Sequence, residues 1–430
     1  MNHKRRAVKL SIVRATHTLI VGVDVGKLSH WACVMDGLTE LQVCSPFSFQ
    51  NTKDGFERLL DQMRKTQQLT GAQHVVVAME PSGHYWKPLA TFLLNQGITV
   101  VCVNPLHVKR AKEFDDNSPT KHDRKDCWVI ARRAADGDFF EPYMPEGVYA
   151  DLRGLTQARQ QTRVKLNQAQ TQLQTLLDEY FPEFTGVFKD PTGMAATYLL
   201  RHYPFPVDIL EVPAERLAEE LRKASNGRVA MKRVQEIRLA AATTIGVRHG
   251  LKAARLRLRQ LLDEIDSCLS RLTETEAEMH AALNETGLAS YLLSAPGVGI
   301  VTAAIFLGET GDLTRYEDAR QIQKHAGYNL KENSSGQHKG QSKITKRGRP
   351  VLRNLMYLAA MVAVAKSAEF KALHTHLKTR RQNPLKPKQA LVAVACKLIR
   401  VLFALARNQC HYDRRIVLGE FRTQQLGLAA

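Results

Sequence analysis

Residues Thr18–Gly26 read TLIVGVDVG, an apolar, largely β-branched run broken by one charge, Asp24 between Val23 and Val25. Such a run predicts a buried strand. A carboxylate inside it is costly unless a cation or a hydrogen-bonding partner stabilises it. Working outward, Ser29–Met35 and Leu41–Phe47 read as further strands, followed by a polar helix over 52–66 and a strand at His74–Met79. A helix over 84–96, a strand at Ile98–Val103 and helices near 105–113 and 121–136 complete the region. Three strands and then alternating helix and strand predict an α/β domain around one central sheet over residues 18–146, behind a basic leader at 1–17.

Three further acids belong with Asp24. Glu80 follows the apolar run Val75–Met79, and Pro81 ends the strand just after it. That is a strand's carboxyl end, where open α/β sheets place their ligands. Asp123 and Asp126, in TKHDRKD, stand three apart on a predicted helix and so share one face. Each acid alone reads equally well as a surface charge or helix cap. As a set, Asp24, Glu80, Asp123 and Asp126 suit Mg²⁺, which takes oxygen ligands. Two such ions about 3.5–4 Å apart stabilise the attacking and leaving oxygens of a phosphodiester displacement.

Lys and Arg number 61 against 42 Asp and Glu, a net charge of +19 over 430 residues. That excess points to a polyanion, nucleic acid before an anionic membrane. No run of 18 uncharged apolar residues predicts a membrane span, since the best candidate, Ala390–Ala406, contains Lys397 and Arg400. The N-terminus lacks the apolar stretch of a signal peptide. Seven cysteines, an odd number with no Cys-x-x-Cys pair, argue for reduced thiols in a cytoplasm and against structural zinc.

The basic charge concentrates in Gly327–Gly348, GYNLKENSSGQHKGQSKITKRG, whose single acid is Glu332. Lys339, Lys343, Lys346, Arg347, Arg349 and Arg353 can face a phosphate backbone beside the small hydroxyls of Ser334 and Ser335. The bland alternative is a solvated basic loop. Gly297 and Gly299, in Ser294–Gly299 (SAPGVG), resemble a helix-hairpin-helix turn whose bare amides approach DNA phosphate, or else mark a tightly packed helix boundary. Lys121 joins these candidate nucleic-acid contacts. Apolar helices over about 350–367 and 386–408 read as core of a region at 290–410, followed by a tail at 411–430.

Between the two ends, Leu152, Leu155, Leu166, Ala169, Leu173 and Leu176 fall on heptad positions interrupted by Arg159 and Thr162. Leu251, Leu258, Ile265, Leu272 and Met279 repeat every seven residues. Leu262, Leu269 and Leu283 lie on the alternate seam, with Arg255 and Glu276 interrupting. The region 147–289 therefore reads as coiled coil, or as two helices packed within one domain. A helical insertion at about 181–245 separates them, and its sequence carries no functional signal.

VGVDVGK, MEPSGHYW and TKHDRKDCWVIA resemble the D-E-D-D set of bacterial insertion-sequence transposases of family one hundred and ten, with Cys127 at a position where Ala is expected. APGVG-IVTAA, GDLTRYEDARQIQKHAG, SSG and ITKRGRPVLRN resemble, in order, the same family's C-terminal transposase domain. The resemblance covers about 18–140 and 290–410. It implies a RuvC-like, RNase H type fold with a Mg²⁺-binding Asp24–Glu80–Asp123–Asp126 site, and makes Ser335 the nucleophile, with Ser334 second. It further implies a homo-oligomer (dimer or tetramer) joined through the coiled coil, donor and target double-stranded DNA, and a structured non-coding guide RNA. Such a protein would work in the cytoplasm, at the nucleoid. The rivals are an RNase H-fold nuclease of the junction-resolvase kind with water as nucleophile, and a non-catalytic nucleic-acid-binding scaffold. An actin-like ATPase is disfavoured, because VGVDVGK has no second Asp-x-Gly-x-x-Gly loop to accompany it.

Overall fold

The computed structural model describes residues 3–14, 17–81, 83–115, 123–331, 334–335, 338–339 and 343–418. For 3–6, 112–115, 123, 334–335, 338–339 and 417–418 it describes the backbone alone. The chain divides into two compact units, Met1–Met144 and Pro145–Ala430.

In the first unit helix α1 (His3–Val13) precedes strands β1 (Thr18–Val25), β2 (Ser29–Asp36) and β3 (Gln42–Gln50). Helix α2 (Lys53–Thr70), β4 (His74–Met79), α3 (Trp86–Asn95), β5 (Thr99–Val103), α4 (Pro105–Asp115), α5 (Asp123–Ala135) and β6 (Phe139–Phe140) follow. The six strands form one sheet in the order β3-β2-β1-β4-β5-β6. The pairs β1–β4 and β4–β5 are parallel, and the outer pairs are antiparallel. The segment expected as a basic leader folds as α1, where Val13 is fully buried with Ile12 packed beside it.

Alternation along the strands sorts the core into two layers. Leu19, Val21, Val23, Val77 and Met79 pack with α2 and α3 residues such as Leu59, Met63 and Leu89. Ile20, Val76, Ala78 and Val101 pack with α5 through Cys127, Ile130, Ala131 and Ala134. Gly22 explains how closely α5 approaches: a Cβ there would lie 2.1 Å from the Cys127 carbonyl oxygen and 2.8 Å from the Ala131 Cβ. Only glycine lets the helix backbone rest on the strand.

In the second unit α6 (Gly147–Tyr180) leads to five short helices: α7 (Phe184–Val187), α8 (Met194–His202), α9 (Pro206–Glu211), α10 (Ala214–Ala224) and α11 (Met231–Ala242). Helix α12 (Leu251–Glu285) then returns antiparallel along α6. At one end Gly246 abuts the Tyr180 backbone, and toward the other Arg159 bonds to Glu276 at 2.8 Å. The heptads of the two helices meet within one chain: Leu166, Ala169, Leu173 and Leu176 share a core with Leu258, Leu262, Ile265 and Leu272. Their charged interruptions have partners. Arg159 and Glu276 pair with each other, while Arg255 bonds to Asp208 at 2.6 Å and lies over the Phe205 ring. Leu269, expected in the seam, is 45% exposed.

The remainder comprises α13 (Ala289–Leu293), α14 (Ile300–Thr310), a 3₁₀ turn at Leu313–Arg315, α15 (Ala319–His325), β7 (Leu330–Lys331), β8 (Ser334–Ser335), β9 (His338–Lys339) and β10 (Lys343–Ile344). Helices α16 (Pro350–Lys366), α17 (Ala368–Thr379), α18 (Pro387–Asn408) and α19 (Arg414–Leu418) complete the chain. Helix α18, 22 residues long, is apolar and long enough to cross a membrane, although no span was expected there. In this fold it is a central core helix, with Val394, Ala395, Leu398, Ile399 and Leu402 fully buried. The expected tail begins inside this core: the Tyr412 hydroxyl donates to Glu369 at 2.6 Å, and its amide donates to Ser294 at 2.8 Å.

Candidate active site

The first half lies at one end of the six-stranded sheet. Strands β1 and β4 run parallel with Val23 beside Met79, and continuing that register by one residue sets Asp24 beside Glu80. Both acids extend the alternation that faces α5, Ile20–Gly22–Asp24 on one strand and Val76–Ala78–Glu80 on the other. Asp24 and Glu80 are half-buried. Asp126 is 5% exposed, next to Cys127 on the turn of α5 that rests on Gly22. Three of the four expected carboxylates therefore belong to one layer at one end of the sheet. The fourth, Asp123, opens α5 three residues earlier, and its side chain lies outside the described set.

Among the described residues, no group of three or more His, Cys, Asp and Glu side chains is close enough to hold a metal ion. The donor chemistry nevertheless suits a hard divalent cation, being all carboxylate oxygen on adjoining elements. A cavity of about 500 Å³ is no rival for this site, because it opens at the opposite end of the sheet beside His74 and Thr99, the first residues of β4 and β5.

Sequence reasoning passed over several neighbours of these acids. Trp31 pairs with Asp24 across β1–β2, and the Arg124 guanidinium lies 5.0 Å from the centre of its ring. Fully buried His30 accepts the Gly26 N–H through Nδ1 at 3.2 Å and so ties down the turn that follows Asp24. Burial holds this imidazole below its usual pKa. On the α5 side, a hydrogen bond with Cys127, reinforced by burial, pushes the Cys33 thiol far above its usual range. All seven thiols are free.

The second half is an arm between α15 and α16. Strands β7 and β10 pair antiparallel, Leu330 with Ile344 and Lys331 with Lys343. Beyond them β8 and β9 pair Ser334 with Lys339 and Ser335 with His338, so both serines lie on the distal ribbon. The six basic candidates divide. Lys343, Lys346 and Arg347 are exposed, and the Lys339 side chain is outside the described set. Arg349 and Arg353 are turned into the fold: Arg349 Nε donates to His325 Nε2 at 2.7 Å, and Arg353 donates to the carbonyls of Ala326 and Lys346, each at 3.1 Å. Gly297 makes its close approach to protein, since a Cβ there would lie 2.7 Å from the Ala363 amide nitrogen of α16. Gly299 faces open space, and Lys121 lies outside the described residues.

A mixed α/β domain with carboxylates at its strand ends, followed by a helical unit bearing a basic serine arm, is the organisation of a DEDD-type, RuvC-like transposase. Residues 21–182 match a family model for DEDD transposases of the IS110 type, and residues 289–375 match the model described as "Transposase IS116/IS110/IS902 family". Together the two matches take in more than half of the chain, which belongs to the IS110/IS116 family of transposases. Its relatives include the "Insertion element IS116 uncharacterized 44.8 kDa protein" of Streptomyces clavuligerus, 27% identical over 90% of this chain and 94% of that protein. The corresponding IS110 protein of Streptomyces coelicolor is 25% identical over 93% of this chain and 97% of its own length. The "Pilin gene-inverting protein" of Moraxella bovis is 23% identical over 92% and 98%, respectively. Transposition, a DNA recombination, is thus the activity of this family.

Proposed function

We propose that the chain cuts and rejoins double-stranded DNA through Ser335, assisted by a divalent-metal site at Asp24, Glu80, Asp123 and Asp126. What supports the reading is that Asp24, Glu80 and Asp126 stand in one layer of the first unit, toward the carboxyl ends of β1 and β4. A hydroxyl is too weak an acid to attack phosphorus unaided, so the serine needs activation that the neighbouring Lys and Arg do not supply. Bound Mg²⁺ would stabilise charge on the attacking and leaving oxygens. In the transfer, the Ser335 Oγ–P bond forms and one P–O bond of the strand breaks. The departing strand oxygen ends with a proton, and the phosphoserine ester conserves the energy for rejoining. Exposed Lys343, Lys346 and Arg347 beside the arm would hold the backbone phosphates.

Guidance by a structured RNA and assembly as a homo-oligomer complete the proposal. The net charge of +19 suits polyanionic partners, RNA as well as DNA. Gene inversion, the activity named for the Moraxella relatives, is the same class of cutting and rejoining. The reaction would take place in the cytoplasm, on nucleoid DNA.

The test is to express the protein with its native flanking DNA, sequence the co-purified RNA, and look for a covalent protein–DNA adduct with Mg²⁺ present. Ser335→Ala should abolish the adduct and Ser334→Ala should retain it. Unchanged strand cleavage by Ser335→Ala would transfer the nucleophile's role to water, as in a junction resolvase.

A further inference from the structure

The serine arm rests on a polar neck. Three backbone hydrogen bonds close it: Arg349 N–H to His325 O at 2.8 Å, Lys346 N–H to Gly327 O at 3.1 Å and Thr345 N–H to Asn329 O at 2.7 Å. The two limbs touch so closely that a Cβ on Gly348 would lie 2.2 Å from His325 O, and one on Gly327 would lie 2.8 Å from Arg347 O. Arg349 sits at the centre of this neck. Its Nε donates to His325, its other end lies 3.7 Å from a carboxylate oxygen of Glu309, and Glu309 is 5% exposed at the end of the apolar helix α14. Arg153, from α6, donates to the carbonyls of Gly308 and Glu309 at 3.3 and 3.4 Å.

We infer that Arg349 is a positioning residue, held by His325 and Glu309 so that the β7–β10 ribbon carries the serines in one fixed direction. This rests on the reading of the arm as the bearer of the nucleophile. It gives Arg349 a different task from Lys343, Lys346 and Arg347: it binds protein rather than phosphate. A lysine could keep the charge opposite Glu309, but it lacks the planar fork that reaches the carboxylate and the imidazole together.

Two measurements on the full-length protein test the assignment. The first is amide hydrogen exchange without nucleic acid. Arg349→Lys should accelerate exchange at Thr345 and Lys346 by roughly tenfold or more, the usual effect of losing a charge-assisted hydrogen bond. Amides within α14 and α18 should be unaffected. Glu309→Ala, at a site closed to DNA, removes the group that faces the guanidinium, should give the same local signature and serves as the second variant if Arg349→Lys folds poorly. The second measurement is the salt dependence of DNA binding alongside adduct yield. A positioning role predicts that Arg349→Lys loses adduct while the slope of log K against log[salt] is unchanged. Full rescue by Lys, with Arg349→Ala lowering the slope by about one, would make Arg349 a phosphate contact and overturn the inference. So would unchanged exchange, or exchange accelerated throughout the unit. Because exchange is read without DNA, it stands apart from the Ser335→Ala adduct test, and failure of one is distinguishable from failure of the other.

Discussion

Gly22→Ala is the most informative single perturbation of the first unit. The new methyl carbon would meet the Cys127 carbonyl oxygen at 2.1 Å, and both the nitrogen and the Cβ of Ala131 at 2.8 Å. Carbon–oxygen contacts rest at about 3.3 Å or more, so α5 must retreat by about 1 Å. Two of the three obstructing atoms are backbone, and no side-chain rotation relieves them. Overpacking costs about 1–3 kcal/mol, and the absence of a rotameric escape places this site near the upper end. For domains of this size each kcal/mol lowers the melting temperature by about 2–4 °C, so a loss of roughly 6–12 °C is expected.

The displacement also reaches the carboxylates. Asp126 is bonded directly to Cys127, and a misplacement of about 1 Å in a catalytic group can cost about 100-fold in rate. Calorimetry of the full chain and a metal-dependent strand-cleavage assay are the measurements. Gly154→Ala is the control, because a Cβ there finds nothing within 4 Å inside helix α6. It should be neutral or stabilising by about 0.5–1 kcal/mol. If Gly22→Ala melts with the wild type and cleaves at the wild-type rate, the close seat of α5 does not set the position of Asp126.

The remaining expectations are shorter. Asp24→Asn, Glu80→Gln and Asp126→Asn should each abolish adduct formation while DNA binding survives, and an adduct from all three would remove the carboxylates from the reaction. Arg159→Leu together with Glu276→Leu restores the apolar heptad and should match or exceed wild-type stability. Arg159→Leu alone should lose roughly 1 kcal/mol in chemical denaturation by leaving Glu276 in the seam without its partner. Acidification should loosen the neck of the serine arm. Burial holds His325 below its usual pKa of 6.5, with Arg153 and Arg315 acting in the same direction, and Arg349 needs its neutral Nε2 as acceptor. A depressed folded-state pKa means that the unfolded chain binds the extra proton first, so this stability is full above 6.5 and is lost as pH falls through the folded value. Glu309 works in the opposite sense: burial pushes its carboxyl up, against the pull of Arg153, so its charging costs stability as pH rises from 4.5. Exchange at Thr345 and Lys346 should accelerate on acidification in the wild type, and His325→Gln should lose that acceleration.

Much of the first unit was legible because its signals are local. Asp24 inside a β-branched run and Glu80 at the end of another were visible as misplaced charges, and the register of β1 and β4 brings them side by side. Helix α1 was hidden because its four-residue basic start dominates its composition, while Ile12 and Val13, which join the core, come only at its end. Strand β6, two residues long, is too short for any periodicity to reveal. In the second unit the heptads were visible but their meaning was not. The charged interruptions Arg159 and Glu276 are 117 residues apart and find each other only because α12 folds back along α6. Arg349 and Arg353 illustrate the same limit, since in sequence they are indistinguishable from Arg347. Only the fold separates a guanidinium bonded to His325 or to main-chain carbonyls from one facing water. Glu309 was the readable exception: a lone acid ending IVTAAIFLGET carries the same kind of signal that drew attention to Glu80.

The chemistry of the neck bears on where the serine's activation must originate. A nucleophilic serine is commonly activated by an adjacent base. His325, Glu309 and Tyr328 are titratable groups at the base of the arm; the first two are committed to Arg349, and the Tyr328 hydroxyl donates to the Arg353 carbonyl at 2.6 Å. Their burial pushes each toward its neutral form, which favours a fixed scaffold over proton exchange. A site of this kind aims a nucleophile without activating it. Activation then falls to groups outside the arm's base, and the proposed carboxylate site is the candidate with suitable chemistry. The two halves should therefore fail differently. Loss of the carboxylates should stop chemistry at a correctly placed serine, leaving exchange at Thr345 and Lys346 unchanged. Loss of Arg349 should misplace the serine while divalent-metal binding persists. A variant of the neck that lost metal binding, or a carboxylate variant that loosened the neck, would contradict this division of labour.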